Sequence, residues 1–162
     1  PQDHKQAVYW YTKAAEQGHK TAQYSLGFMY NYGQGVIQDY KQAYHWYRKS
    51  AEQGHGGAQN SLGIIYYNGQ GISKDHKQAI YWYNKAAEQG EEGAQTNLGV
   101  MYFNGEGVIQ DYVKAHMYWN IASSNGVPQA KEYRDDAAEK MTPEQIAEAQ
   151  TLAREWMEKH SK

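Results

Sequence analysis

Residues 22–51 read AQYSLGFMYNYGQGVIQDYKQAYHWYRKSA, and residues 58–87 read AQNSLGIIYYNGQGISKDHKQAIYWYNKAA. The two stretches lie 36 residues apart, and residues 39–74 share 20 identities in 36 positions with residues 75–110. Self-similarity at a fixed period of this length is typical of repeat arrays. The fold expected is therefore an all-α solenoid, in which each repeat packs on its neighbours.

Each repeat contains two helical patterns. Ala22, Leu26 and Tyr30 fall at i, i+4 and i+8, which predicts a helix with one buried face, ended by Gly33. Gly27, beside Leu26, predicts that another helix approaches closely there. The second helix carries the pattern Asp-x-Lys-x-Ala-x-x-Trp-Tyr-x-Lys-x-Ala, and its N-cap is predicted at an aspartate that recurs every 36 residues, as Asp3, Asp39, Asp75 and Asp111.

The composition excludes several classes of protein. Leu, Ile, Val and Phe together make up 20 of 162 residues, against 16 Tyr, 5 Trp and 16 Gly, so the core must combine rings with small residues. Zero Cys excludes disulfides and thiolate metal sites. A net charge of −2 argues against nucleic-acid binding, and no apolar run is long enough to span a membrane. No signal peptide is visible in this chain, and a soluble protein of this kind is compatible with an exported, periplasmic or cytoplasmic location.

The unit resembles the Sel-one-like repeat, a relative of the tetratricopeptide repeat. The resemblance rests on Ala22-x-x-x-Leu26-Gly27-x-x-Tyr30-x-x-Gly33-x-Gly35, followed by Asp39-x-Lys41-x-Ala43-x-x-Trp46-Tyr47-x-Lys49-x-Ala51. It implies a right-handed α/α superhelical solenoid of 36-residue helix-turn-helix repeats that binds other proteins. Bacterial members of the family are often exported. We expect residues 1–126 to form the array, opening with a half repeat and continuing with three full units.

The two ends of the array depart from the pattern. We expect residues 127–162 to form a degenerate last repeat helix and a C-terminal capping helix over about 143–160, opened by a Thr142–Gln145 capping box. Residues 3–17 lack a partner helix on one side, and Trp10 and Tyr11 are predicted to pack forward onto the next unit. This half repeat suggests a fragment of a longer repeat protein.

Positions that vary between repeats are free to serve a partner. On the first helix of each unit they form what we call the variable stripe: Tyr24, Phe28, Asn31, Tyr32, Asn60, Ile64, Tyr67, Asn68, Thr96, Val100, Phe103 and Asn104. In tetratricopeptide repeats the equivalent positions line the concave groove that receives peptides, so the resemblance implies an uncharged, aromatic and amide-bearing groove. Two alternatives stay open: Phe28, Ile64 and Val100 as further core, and Asn68 and Asn104 as helix-end turn residues.

No catalytic, cofactor-binding or metal-binding residue is predicted. Of the seven His, none forms an HExxH pair or lies i, i+4 from another His. The predicted function is a non-catalytic scaffold or adaptor that binds a protein or peptide on its concave face, with no nucleic acid and no cofactor. One alternative is a structural segment of a larger assembly, self-associating through the open N-terminal repeat end. A remote alternative is a cell-wall-related hydrolase.

Overall fold

The computed structural model describes residues 2–160, and every regular element in that range is an α-helix. Contacts divide the chain into two compact units, residues 1–82 and 83–162, and the division falls within α5. The helices are α1 Gln2–Glu16, α2 Lys20–Tyr32, α3 Tyr40–Glu52, α4 Gly56–Asn68, α5 His76–Ala87, α6 Glu92–Asn104, α7 Tyr112–Ser124, α8 Pro128–Ala138 and α9 Pro143–His160. The predicted all-helical repeat architecture is confirmed.

The predicted stop and start signals explain most helix boundaries. α2 ends at Gly33, whose φ of 67° lies in the left-handed region that favours glycine. α3 begins after Asp39, whose side chain accepts hydrogen bonds from the N–H groups of Lys41 and Gln42. The Asp39 N–H itself donates to the Tyr30 carbonyl, 3.0 Å away, and this bond holds the cap residue extended.

The predicted cap at Asp3 is wrong. α1 already includes Gln2, so Asp3 lies inside the first turn and does not precede the helix. The physical reason is the hydrogen bond that the N–H of a cap residue such as Asp39 donates to the preceding helix. Asp39 is held by a carbonyl nine positions earlier, in the preceding helix, and within residues 2–160 no such bond holds Asp3.

The N-terminal unit is built by close approach of α2 and α3. A Cβ placed on Gly27 would lie 2.7 Å from Cδ1 of Tyr47, so the glycine allows the tyrosine ring to lie directly against the α2 backbone. Tyr47 is 2% exposed and packs in a core with Leu62, Ile65 and small alanines. The composition is thereby explained, because the glycine and alanine positions admit large rings that replace aliphatic side chains.

The C-terminal unit repeats this contact with a larger ring. Trp119 of α7 lies against Gly99 of α6, and its indole N–H donates to the Thr96 carbonyl at 3.1 Å. The surrounding core consists of alanines from α7 and α8, with Tyr133 packed against it. Helix α9 begins with the predicted capping box: the Thr142 N–H donates to Gln145 Oε1, and the Gln145 N–H donates to Thr142 Oγ1.

Buried glutamines form a ladder of hydrogen bonds that sequence reasoning missed. In the N-terminal unit, Gln23 Nε2 donates to the Ala15 carbonyl at 3.0 Å, and Gln23 Oε1 accepts from Gln53 Nε2 at 2.7 Å. In the C-terminal unit, Gln95 Oε1 accepts from Asn125 Nδ2 at 3.0 Å. The signal was the Ala-Gln pair at 22–23, 58–59 and 94–95. Its glutamine is buried in all three copies, linking successive helices.

The prediction that Trp10 and Tyr11 pack forward onto the next unit is wrong for Trp10, which is 65% exposed. Trp10 instead makes an edge contact with Tyr9, and Lys13 lies over both rings. Tyr11 is 39% exposed, whereas Tyr47 at the same repeat position is 2% exposed. The difference has a physical cause: Tyr47 lies against the α2 backbone at Gly27, and within residues 2–160 no helix backbone covers Tyr11 in this way.

Candidate functional site

The stripe residues of α2 are exposed aromatic side chains. Phe28 and Tyr32 are 37% and 60% exposed, and their ring centroids lie 4.5 Å apart. Tyr24, one turn earlier, is half-buried because its ring stacks on His55, 4.6 Å away. Phe28 and Tyr32 thus both lie on the surface, and Phe28 is more exposed than a core side chain would be.

Two of these rings line a cleft between α1 and α2, which we call the N-terminal cleft. It has a volume of about 520 Å³, and Tyr24 and Phe28 meet Tyr11 of α1 there. Asp3 and His4, from the first turn of α1, also line it. The open side of α1 and the variable stripe therefore share one concavity, which combines aromatic walls with a carboxylate.

The stripe residues of α4 lie outside the N-terminal cleft. Ile64 and Tyr67 are half-buried, and the Tyr67 ring stacks on His76 with centroids 5.2 Å apart. Asn60 is half-buried as well, and Asn68 is exposed as the last residue of α4, before the capping Gly69. The position of Asn68 thus agrees with the alternative that it is a turn residue at the end of a helix.

The stripe residues of α6 line a second concavity, which we call the C-terminal cleft. Val100, Phe103 and Asn104 line it, together with Trp119, Tyr133 and Asp136 from α7 and α8, around a volume of about 300 Å³. Thr96 lies outside this cleft, and its hydroxyl donates to the Glu92 carbonyl of its own helix. Both clefts therefore bring stripe residues together with aromatic side chains of neighbouring helices.

Sequence reasoning missed Tyr133 and Asp136 because the repeat pattern decays in α8. The period nevertheless continues: Asp136 lies 36 residues after Val100, at a stripe position. Extending the stripe into the fourth copy would have given a charged set, Glu132, Asp136, Glu139 and Lys140. From this set the sequence could have predicted the carboxylate of the C-terminal cleft.

Two buried ionisable side chains, Tyr47 and His116, have pKa values shifted toward their neutral forms. Burial raises the pKa of the Tyr47 hydroxyl, which lies under Tyr24, well above the ordinary tyrosine value. Burial also lowers the pKa of His116, and the neighbouring Arg134 lowers it further. Within residues 2–160 no group of three or more His, Asp and Glu side chains is arranged to hold a metal ion.

Comparison with known protein families finds repeats whose boundaries coincide with the helix pairs. A family model described as the Sel1 repeat matches residues 1–19, 20–55, 57–91 and 93–127. The chain belongs to the Sel1 repeat family. The three full matches each contain one stripe-bearing helix and the aromatic helix that follows it. The first match covers α1 alone.

Solved structures of Sel1 repeat proteins are similar to this chain. A Sel1 repeat protein from Oxalobacter formigenes is 38% identical over 82% of this chain and 54% of its own, with a TM-score of 0.77. A protective antigen of uropathogenic Escherichia coli strains is 34% identical over 94% of this chain and 41% of its own, with a TM-score of 0.65. The chain thus spans about half the length of these relatives.

A third similar structure is cysteine-rich protein B of Helicobacter pylori, 25% identical over 80% of this chain and 93% of its own, with a TM-score of 0.64. This Sel1 repeat chain contains no cysteine, so its own packing holds the repeats together without disulfides. No curated protein sequence matches the chain.

Sel1 repeat proteins are in general scaffolds for interaction with other proteins, and the family is generally non-catalytic. None of the helices within residues 2–160 combines the length and the apolar character that a membrane crossing requires.

Proposed function

We propose that the variable stripe binds an extended peptide segment of a protein partner. The observation that carries the proposal is the exposed ring pair Phe28–Tyr32 beside the N-terminal cleft. An exposed aromatic side chain forgoes the free energy that burial in a core would provide, about 25 cal/mol for each Å² of apolar surface. Exposed aromatics that adjoin a concavity are typical of protein-binding surfaces.

The chemistry of the stripe fits a peptide backbone. Its members are aromatic, aliphatic, amide or hydroxyl side chains, and none of the twelve is charged. The asparagine amides can both donate to and accept from a peptide group, while rings pack on partner side chains. Phosphate groups would need basic side chains, which the stripe lacks.

A selection from a random linear peptide library tests this function. We expect selected peptides to bind the wild-type chain and to lose about tenfold or more in affinity when Phe28 and Tyr32 are both replaced by alanine, since truncation of a central aromatic costs about 2 kcal/mol or more. The matched control replaces Tyr9 and Tyr81, which are 52% and 48% exposed and lie off the stripe. Equal losses in both double variants, or none in the Phe28/Tyr32 variant, would refute the proposal.

Three exposed rings on α1 support a second candidate function, self-association of two copies. Tyr9, Trp10 and Tyr11 are 52%, 65% and 39% exposed, and they are consecutive in one helix. Light scattering across a concentration series is expected to show dimers that a Trp10→Ala substitution weakens. A wild-type chain that stays monomeric at every concentration would rule this candidate out.

A further inference from the structure

The C-terminal cleft is small. Its volume of about 300 Å³ lies at the small end of the range of ligand pockets. Three rings form its walls: the Trp119 centroid lies 5.5 Å from that of Phe103 and 5.3 Å from that of Tyr133. The rings are tilted by 47° and 44° in these two pairs. Because Trp119 is only 3% exposed, the half-buried rings of Phe103 and Tyr133 offer most of the accessible aromatic surface.

One carboxylate lines this aromatic cleft. Asp136 is exposed, and across residues 2–160 its side chain makes no ion pair or hydrogen bond. Its neighbour in sequence behaves differently, because Asp135 accepts from Arg134 at 2.7 Å and is neutralised by it. Within residues 2–160, Asp136 therefore supplies a carboxylate without an ion-pair partner among the residues that line the aromatic pocket.

A cation of the chain itself already lies near one wall. The Lys140 Nζ is 6.0 Å from the Phe103 centroid, which is the outer limit of a cation–π contact. The Phe103 ring thus already faces one positive charge, held at the limit of contact. A like charge at this distance should weaken the binding of any second cation by a modest amount.

We propose that the C-terminal cleft binds an arginine side chain of the partner. This inference rests on the proposed function of the stripe, because Val100, Phe103 and Asn104 belong to both. A planar guanidinium stacks on aromatic faces and donates two parallel hydrogen bonds to a carboxylate, here that of Asp136. The compact ammonium group of lysine offers no flat face to the rings and no two-pronged donor.

The test uses Nα-acetyl-L-arginine methylamide as the probe, titrated at low salt into the ¹⁵N-labelled full chain. The reporter is the indole N–H of Trp119, which is buried and bonded to the Thr96 carbonyl. We expect this signal and the amides of Phe103 and Tyr133 to shift in a saturable way. The matching citrulline probe has the same shape without the charge, and it is expected to bind more weakly.

Two substitutions should change the affinity in opposite directions. Asp136→Asn is expected to weaken arginine binding about two- to fivefold, the effect of one exposed ion pair, and Lys140→Gln should strengthen it by up to about twofold. Glu148→Gln, which removes an exposed carboxylate of α9 that does not line the cleft, should leave the affinity unchanged. Circular dichroism checks that each variant stays folded.

Several results would overturn the inference: no shift of the Trp119 indole signal at any probe concentration, equal binding of the citrulline probe, or an affinity that Asp136→Asn leaves unchanged. These outcomes are separable from failure of the proposed function. Library peptides that bind the stripe without any arginine preference would refute the arginine site and leave peptide binding standing. Arginine binding that depends on Asp136, without stripe-dependent peptides, would refute only the proposed function.

Discussion

Replacing Gly27 with alanine should destabilise the N-terminal unit, although alanine is the better helix former. The new Cβ would lie 2.7 Å from Tyr47 Cδ1, 3.0 Å from Cε1 and 3.1 Å from Cγ, whereas carbon atoms prefer about 3.5–4.0 Å. Because the contact includes Cγ, the atom by which the ring is attached, rotation of the ring about the Cβ–Cγ bond cannot relieve it. The ring is also backed by Tyr24, whose centroid lies 5.7 Å away.

The expected cost follows from two opposing terms. Overpacking of a buried site costs about 1–3 kcal/mol, and the near-rigid contact places Gly27→Ala in the upper part of that range. Higher helix propensity returns about 1 kcal/mol. The free energy of unfolding should therefore fall by about 1–2 kcal/mol, which corresponds to a Tm lower by about 2–8 °C for a chain of this size.

Urea and thermal unfolding followed by far-UV circular dichroism measure this change. Gly57→Ala is the matched control, because its Cβ would meet Tyr24 Cζ at 3.4 Å, an ordinary contact, and it should be neutral or stabilising by up to about 1 kcal/mol. If Gly27→Ala proves as stable as the wild type, close approach of ring and backbone is not what the repeated glycine provides.

Three further predictions concern the hydrogen bonds and the buried histidine. Gln23→Met should lower the free energy of unfolding by about 1–2 kcal/mol in urea titrations, because two ladder hydrogen bonds of about 1 kcal/mol each are lost; an unchanged midpoint would contradict this. Thr142→Ala should cost about 1 kcal/mol and speed amide exchange in the first turn of α9, whereas unaltered exchange would show that the capping box is dispensable. His116 binds its proton more weakly when folded, so its contribution to stability is present above pH 6.5 and is lost as the pH falls through its lowered folded pKa. Between about pH 7 and pH 5, the free energy of unfolding measured in urea should therefore fall less in His116→Phe than in the wild type. An equal fall in both proteins would rule this out.

The repeat period was enough to predict the helices and the packing style. The spacing of 20 residues from Gly27 to Tyr47 recurs from Gly63 to Tyr83 and, with a different ring, from Gly99 to Trp119. Repetition thus separates positions that hold the fold from positions that vary. The glycine caps and the capping box could be located because each depends on residues within a few positions of one another. The cap at Asp3 failed because it depends on a bond to a preceding helix, which the local sequence does not encode.

The candidate site was less predictable, since its walls come from different helices. The stripe on α6 could be identified, but the cleft needs Tyr133 and Asp136 from α8, where the motif is lost although the backbone still follows the repeat. Trp119 occupies a repeat position that holds tyrosine in the other copies, but its contact with Tyr133 depends on how α7 and α8 pack. Side-chain exposure, such as that of Tyr32, likewise depends on neighbours that are remote in sequence.

The most direct test of peptide binding by the variable stripe is paramagnetic relaxation from a nitroxide on a library-selected peptide. The peptide is bound to the ¹⁵N-labelled chain, and the broadening of each amide signal is measured. We predict that broadening is strongest for amides of α2, α4 and α6, around Phe28, Tyr67 and Phe103. The amides of Tyr9 and Tyr81, whose exposed rings lie off the stripe, should stay sharp. Broadening centred on Tyr9 and Tyr81, with the stripe amides unaffected, would contradict the account.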